Sequence, residues 1–273
     1  MTNHRKSALS AMSRYPSTPG NRGFSLVELM IALAAGLIVC SAVVAFLMSS
    51  FRSNSDYVMS TRLTQDLRNT MDLVTRDLRR AGYDESATAS MGTGRISLFS
   101  HMKLCNTSGS TCVTTTTRPT AAFPCVIYGY DRVNGTAGTV DVGNGEVRGI
   151  RQRTVTNLNG VSVGVIEYAV STGSTEPVCN AAGPDYTAFP TTCNTTTTWC
   201  PLTDATKLDI TSFTLTDNGA VAGGVLLRDL AVVLQGRPAG TSAYTRGVSS
   251  GVHIRSDCYA TALTDCLLTP TNH

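Results

Sequence analysis

The sequence predicts an α+β fold: a long N-terminal helix, half transmembrane and half amphipathic, packed on an antiparallel β-rich head with disulfide-stapled loops. Three observations predict it. Leu29 to Phe51 supplies 23 consecutive uncharged residues, enough to cross a bilayer that needs about 20. Beyond Arg52, apolar residues recur at Leu63, Leu67, Met71, Val74, Leu78 and Ala81, the spacing of one helical face. From Tyr83 onward the pattern changes to short alternating segments separated by turns, and eight of the nine cysteines lie in that part.

The helix is expected from Phe24 to Ala81, with a flexible point near Gly36 and a stop at Gly82. At 1.5 Å per residue it would run roughly 87 Å. Its polar faces offer Arg62 with Asp66, Arg68 with Asp72, and Asp72 with Arg76, each four residues apart and able to pair on a solvated face.

The candidate strands of the head are Arg95 to Leu104, Cys125 to Arg132, Glu146 to Val155, Val161 to Val170, Leu208 to Thr216, Val225 to Leu234 and Gly247 to Ser256. The most apolar, Val161 to Val170 and Leu226 to Leu234, are expected to be central. Asn144-Gly145 and Asn159-Gly160 suit hairpin turns. Two Thr-rich loops, Asn106 to Thr120 and Thr187 to Thr206, contain or border cysteines and are too polar to pack a core. Disulfides are therefore expected to hold them, either as passive insertions or as carriers of binding specificity.

The cysteines bear on compartment. Cys40 lies within the apolar run, while Cys105, Cys112, Cys125, Cys179, Cys193, Cys200, Cys258 and Cys266 follow the helix and include no C-x-x-C pair. An even set without close pairs favours a disulfide framework in an oxidising compartment over a zinc site. Loop closure favours Cys105 with Cys112 and Cys258 with Cys266 as first pairs.

Charge points to a processed chain. Arg5, Lys6, Arg14 and Arg22 precede Phe24 and no acidic residue does, so removal of residues 1–23 leaves 18 basic against 19 acidic side chains. That near-neutral remainder has no general attraction for nucleic acid or an anionic membrane surface. The basic start keeps the N-terminus cytoplasmic and sends the rest outward.

Glu28 stands at the head of the apolar run. A carboxylate within hydrocarbon costs about 2.5 to 3.5 kcal/mol at a helix centre, less near its end, and is usually paired or functional. An ordinary signal peptide explains neither Glu28 nor the length of the run. A plain anchor explains only the length.

Gly23-Phe24-Ser25-Leu26-Val27-Glu28 closely resembles the class III leader junction of type IV pilins and of the pseudopilins of type II secretion. The resemblance implies cleavage by a prepilin peptidase between Gly23 and Phe24 and N-methylation of Phe24. It also implies a role for Glu28 in subunit assembly, pairing with the α-ammonium of a neighbouring subunit. Thr75-Arg76-Asp77-Leu78-Arg79-Arg80-Ala81-Gly82-Tyr83 further resembles the segment that closes this helix in the PilW family of minor pilins. The implied organisation is a cleaved leader (1–23), a transmembrane half-helix (24–52), an amphipathic half-helix (53–82) and a β-rich head (83–273). The implied function is that of a non-enzymatic minor pilin that primes pilus assembly at or near the tip, supporting twitching motility and adhesion.

Implied partners are other minor pilins and the major pilin, the prepilin peptidase, the inner-membrane assembly platform and a tip adhesin. The implied location is the bacterial inner membrane, head in the periplasm, and then the pilus. Two alternatives remain: a J-type minor pseudopilin of type II secretion, and a membrane-anchored periplasmic enzyme or binding domain.

No catalytic constellation is visible, and no cofactor or metal is expected. The four histidines are scattered, and no H-E-x-x-H, G-x-S-x-G, P-loop or EF-hand spacing occurs. Arg148, Arg151 and Arg153 form the one basic cluster; without interleaved aromatics they read as a solvated or edge strand rather than a nucleic-acid site. Trp199 is expected to pack on a disulfide or to anchor a partner.

Overall fold

The structure, a computed structural model, describes residues 23–85, 102–106, 112, 121–131, 141–222, 225–241 and 244–259. The chain divides into two compact units, Met1–Ser55 and Asp56–His273.

Helix α1 spans Leu26–Leu78 without interruption at Gly36. Its last turn tightens, with Arg80 and Ala81 amides donating three residues back to Asp77 and Leu78 carbonyls. Gly82 then takes the left-handed conformation at φ 78°. Its amide donates to the Gly129 carbonyl at 2.8 Å, so the helix stop is also a tie to the sheet. Leu63, Leu67, Met71, Val74 and Leu78 are buried as one stripe.

Among the described residues nine strands follow: β1 (Met102–Cys105), β2 (Cys125–Gly129), β3 (Val147–Thr156), β4 (Ser162–Val170), β5 (Trp199–Pro201), β6 (Leu208–Asp217), β7 (Ala220–Ala222), β8 (Val225–Pro238) and β9 (Arg246–Tyr259). All pairings are antiparallel. The first sheet has the order β1-β2-β3-β4-β5; the second is built around β8, which pairs with β6, β7 and β9. β8 is central as its composition suggests, whereas in the first sheet the middle strand is β3 and β4 lies one place outward. The 95–101 part of the first candidate strand lies outside the described residues.

Asn157 caps the β3–β4 hairpin at Asn159-Gly160, its side-chain oxygen accepting from the amides of Asn159 and Val161 at 3.0 Å each. The other Asn-Gly step differs from expectation. Val142–Asn144 forms a single 3-10 turn capped by Asp141, because the Asp141 carboxylate accepts from the Gly143 amide and holds the chain in a tight turn.

Side chains alternate across β3 and divide the head into layers. One face of the first sheet, with Val126, Tyr128, Ile150 and Ile166, meets the α1 stripe and the inner face of the second sheet, with Phe213, Leu215, Val232 and Val252. The opposite face, with Cys125, Ile127, Val147 and Ala169, carries a second cluster under the 171–201 segment.

The two sheets are joined by backbone and by side-chain bonds, among them the Gly164 amide of β4 donating to Asp209 Oδ1 of β6 at 2.7 Å. Phe123 and Leu215 exchange N–H···O bonds of 2.9 and 2.8 Å. β6 bulges between Ile210 and Ser212, and Gln152 of β3 fills the gap. Gln152 donates to the Ile210 carbonyl at 2.8 Å and accepts from the Phe213 amide at 3.0 Å. Both backbone groups freed by the bulge are thus satisfied.

Candidate functional site

Two regions hold the residues that the sequence singles out. In the first unit, Gly23, Phe24 and Ser25 precede α1, and the Ser25 carbonyl accepts from the Leu29 amide at 3.1 Å. Glu28 lies in the first turn, where amides without intrahelical acceptors favour a carboxylate. Every residue from Gly23 to Met59 is exposed. Full burial of a Leu, Ile, Val, Phe or Met side chain is worth about 1.5 to 3 kcal/mol, so a surface this long demands cover from lipid or from other helices. Within the run the Ser41 hydroxyl donates to the Ile38 carbonyl at 2.8 Å.

In the second unit, the arginine cluster corrects the expectation of a solvated or edge strand. β3 is bonded on both sides, and Arg151 and Glu167 are buried. Arg151 Nη2 lies 2.6 Å from Glu167 Oε2, and Arg153 Nε donates to Glu167 Oε1 at 2.8 Å. Arg151 Nη1 reaches the carbonyls of Cys179 and Ala181 at 2.7 Å each, and Arg153 Nη2 the carbonyl of Pro184 at 2.7 Å. Burial lowers the Arg151 pKa, with Glu167 opposing it. The arginines occupy carbonyls that a polar loop could not otherwise satisfy, which is why the loop can lie flat on the sheet.

Arg148 projects from the other face of β3. Its Nη1 donates to Asp77 of α1 at 3.1 Å, its guanidinium sits 4.9 Å from the Tyr130 ring centre, and Tyr128 donates its hydroxyl to the same Asp77. The cluster therefore clamps a loop on one face and the end of α1 on the other.

Trp199 lies wholly inside this layer, its ring centre 3.9 Å from the Arg151 guanidinium and its indole N–H donating to Val178 at 3.1 Å. A Cβ on Gly149 would come within 2.9 Å of the Trp199 ring, so only glycine lets the indole lie against β3. Sequence reading missed Glu167 and strand β5. Period-two alternation marks Glu167 as facing opposite to Ile166, but nothing local says that this face is covered.

Among the cysteines, disulfides join Cys105 to Cys112, Cys125 to Cys179 and Cys193 to Cys200. The pairing expected for Cys258 and Cys266 falls outside the described residues. Asn194, in a glycosylation-like sequon, uses its side chain to accept from the Thr196 and Thr197 amides and to donate to the Gly183 carbonyl at 3.1 Å.

A cavity of about 320 Å³ opens between Leu158, Tyr186, Phe189, Leu202 and Asp204. Its carboxylate is already engaged: Asp204 accepts from Thr206 and lies 2.9 Å from Lys207 Nζ. Among the described residues no group of three or more His, Cys, Asp or Glu side chains is placed to hold a metal ion.

A family model described as prepilin peptidase-dependent protein B (PpdB) matches residues 56–254, and a model of the prokaryotic N-terminal methylation motif matches residues 19–44. The chain belongs to the prepilin peptidase-dependent protein B family. No curated protein and no solved structure matches it. The PpdB match begins at Asp56, where the second compact unit begins, and the methylation-motif match contains Gly23, Phe24 and Glu28. Membership in the PpdB family makes this a pilin-type structural subunit, a minor pilin or pseudopilin, with an apolar helix suited to membrane anchoring.

Proposed function

We propose that the chain is a PilW-like minor type IV pilin, a non-enzymatic subunit that primes pilus assembly with other minor pilins and resides at or near the tip. The observation that carries the reading is the leader-like junction Gly23-Phe24 followed by an apolar half-helix that is exposed among the described residues. Prepilin peptidase cuts after Gly23 and the new N-terminus of Phe24 is methylated. The anchored subunit keeps its N-terminus at the cytoplasmic side of the inner membrane, its head in the periplasm, and later enters the pilus.

Glu28, fifth in the mature chain, lies one helical turn from Phe24. Within hydrocarbon it attracts the α-ammonium of an incoming neighbour and sets that neighbour's register. The major pilin, the inner-membrane platform and a tip adhesin are the further partners of this reading.

N-terminal mass spectrometry of the native protein tests it. A methylated Phe24 terminus is expected, whereas a chain still running from Met1 in the presence of the peptidase contradicts it. Type II secretion is the second reading, since the leader junction and the PpdB description suit both machines. Deleting the gene separates them: lost pili and twitching favour the first, and intact pili with blocked secretion the second.

A further inference from the structure

We propose that the outer edge of β9 is a β-augmentation site that takes an extended, acidic segment of a neighbouring pilin-type subunit. The proposal rests on the assembly role above and names a surface which that role leaves unassigned. β9 has 14 residues, far longer than the usual strand of about 5 to 6, and among the described residues β8 is its one strand partner. Alternate backbone N–H and C=O groups therefore face outward along the strand.

Native edges are blunted by proline, lysine, bulges or cover. From Arg246 to Ile254 there is neither proline nor lysine, the pairing with β8 runs in unbroken register, and the exposed positions include Gly247, Ser249 and Gly251. The inward positions Val252 and Ile254 are buried and hold the strand rigid. An edge of this kind is preorganised to accept another strand, and main-chain bonds would supply the affinity.

A groove of about 420 Å³ lies along this edge, with Val248, Ser249 and Ser250 on one wall and α1 residues including Arg68, Thr75 and Arg79 on the other. At the start of the strand, Arg246 donates to Ser60 Oγ of α1 at 3.2 Å and fixes helix and edge together. The one carboxylate of the groove, Asp72, is paired with Arg76 at 3.3 Å, so Arg68 and Arg79 set its sign. Charge complementarity selects an acidic segment.

Successive residues of an edge strand point their N–H groups to opposite sides. Of Ser249→Pro and Ser250→Pro, one removes a bond to β8 and the other removes only an outward donor. In the full chain co-produced with its pilin-type neighbours and extracted in mild detergent, the variant that keeps the wild-type melting temperature is expected to lose roughly tenfold or more in affinity for the neighbour. Arg68→Glu with Arg79→Glu should do the same, and decides the matter if neither proline variant folds. A photo-crosslinker at Ser249 is expected to label an acidic extended segment of that neighbour. Wild-type affinity in the folded proline variant or in the charge-reversed pair would overturn the proposal. So would crosslinks to this chain's own residues, to a second copy or to a helix. Wild-type chain that is uncleaved or never enters filaments would overturn the assembly reading instead, and the crosslink at Ser249 remains readable in membranes.

Discussion

Arg151 and Glu167 form an ion pair at 2.6 Å inside the head, with side chains 2% and 0% exposed. The pair joins β3 to β4, Arg151 Nη1 holds the carbonyls of Cys179 and Ala181 against the sheet, and neighbouring Arg153 holds that of Pro184. Removing one partner of such a pair leaves a buried charge unanswered. Glu167→Gln, which keeps the shape, should lower stability by about 3 to 5 kcal/mol, read as a shifted midpoint in urea unfolding. Arg153→Gln should cost only about 1 kcal/mol, because that side chain is 31% exposed. Equal losses for the two would contradict the account.

Gly149 and Trp199 give a spectroscopic test of the same layer. Trp199 is the single tryptophan of the chain, so its fluorescence reports this site alone. Gly149→Val should push the indole off β3, shift its emission to longer wavelength and cost about 1 to 3 kcal/mol. Unchanged emission would mean that the ring does not rest on Gly149.

Two tyrosines make stability fall at alkaline pH. Burial, then Asp77, pushes the Tyr128 phenol well above its ordinary 10.0, and burial, then Glu167, does the same for Tyr186. Unfolded phenols lose their protons near 10.0 while these two keep theirs, so above that pH the unfolded state binds fewer protons. Their contribution is complete below about pH 10 and is lost as pH rises beyond it. Tyrosinate absorbance should show the Tyr128 and Tyr186 phenols titrating only on unfolding. The Tyr128→Phe, Tyr186→Phe double variant should flatten the alkaline decline.

Processing and assembly should separate genetically. Glu28→Ala is expected to leave cleavage after Gly23 largely intact while reducing incorporation into filaments, measured by immunoblot of sheared filaments against membranes. Gly23→Glu should block processing, visible as the full mass of the membrane-bound product. Normal incorporation of Glu28→Ala would contradict the charge-pairing account.

The helix was legible because its signals are local: an unbroken apolar run, a stripe at spacings of three and four, and a glycine stop. Leu208–Asp217 and Ser162–Val170 stand nearly where alternation puts them, since alternation is what a sheet with two different faces requires. Strand β5 was hidden within a Thr-rich loop because its three residues are too few to show a period. It exists because Trp199 has a glycine to lie on and an arginine to stack against.

By itself the sequence determined what depends on neighbours along the chain: the apolar run suited to an anchor, the leader-like motif with Glu28 five residues beyond Gly23, the amphipathic stripe and most strands. Tertiary structure decided what depends on who meets whom. Arg148, Arg151 and Arg153 read alike as a basic strand, yet the pleat sends Arg148 to Asp77 and the other two to Glu167. A charge is solvated or paired according to what covers it, and that cover comes from residues far away in the chain.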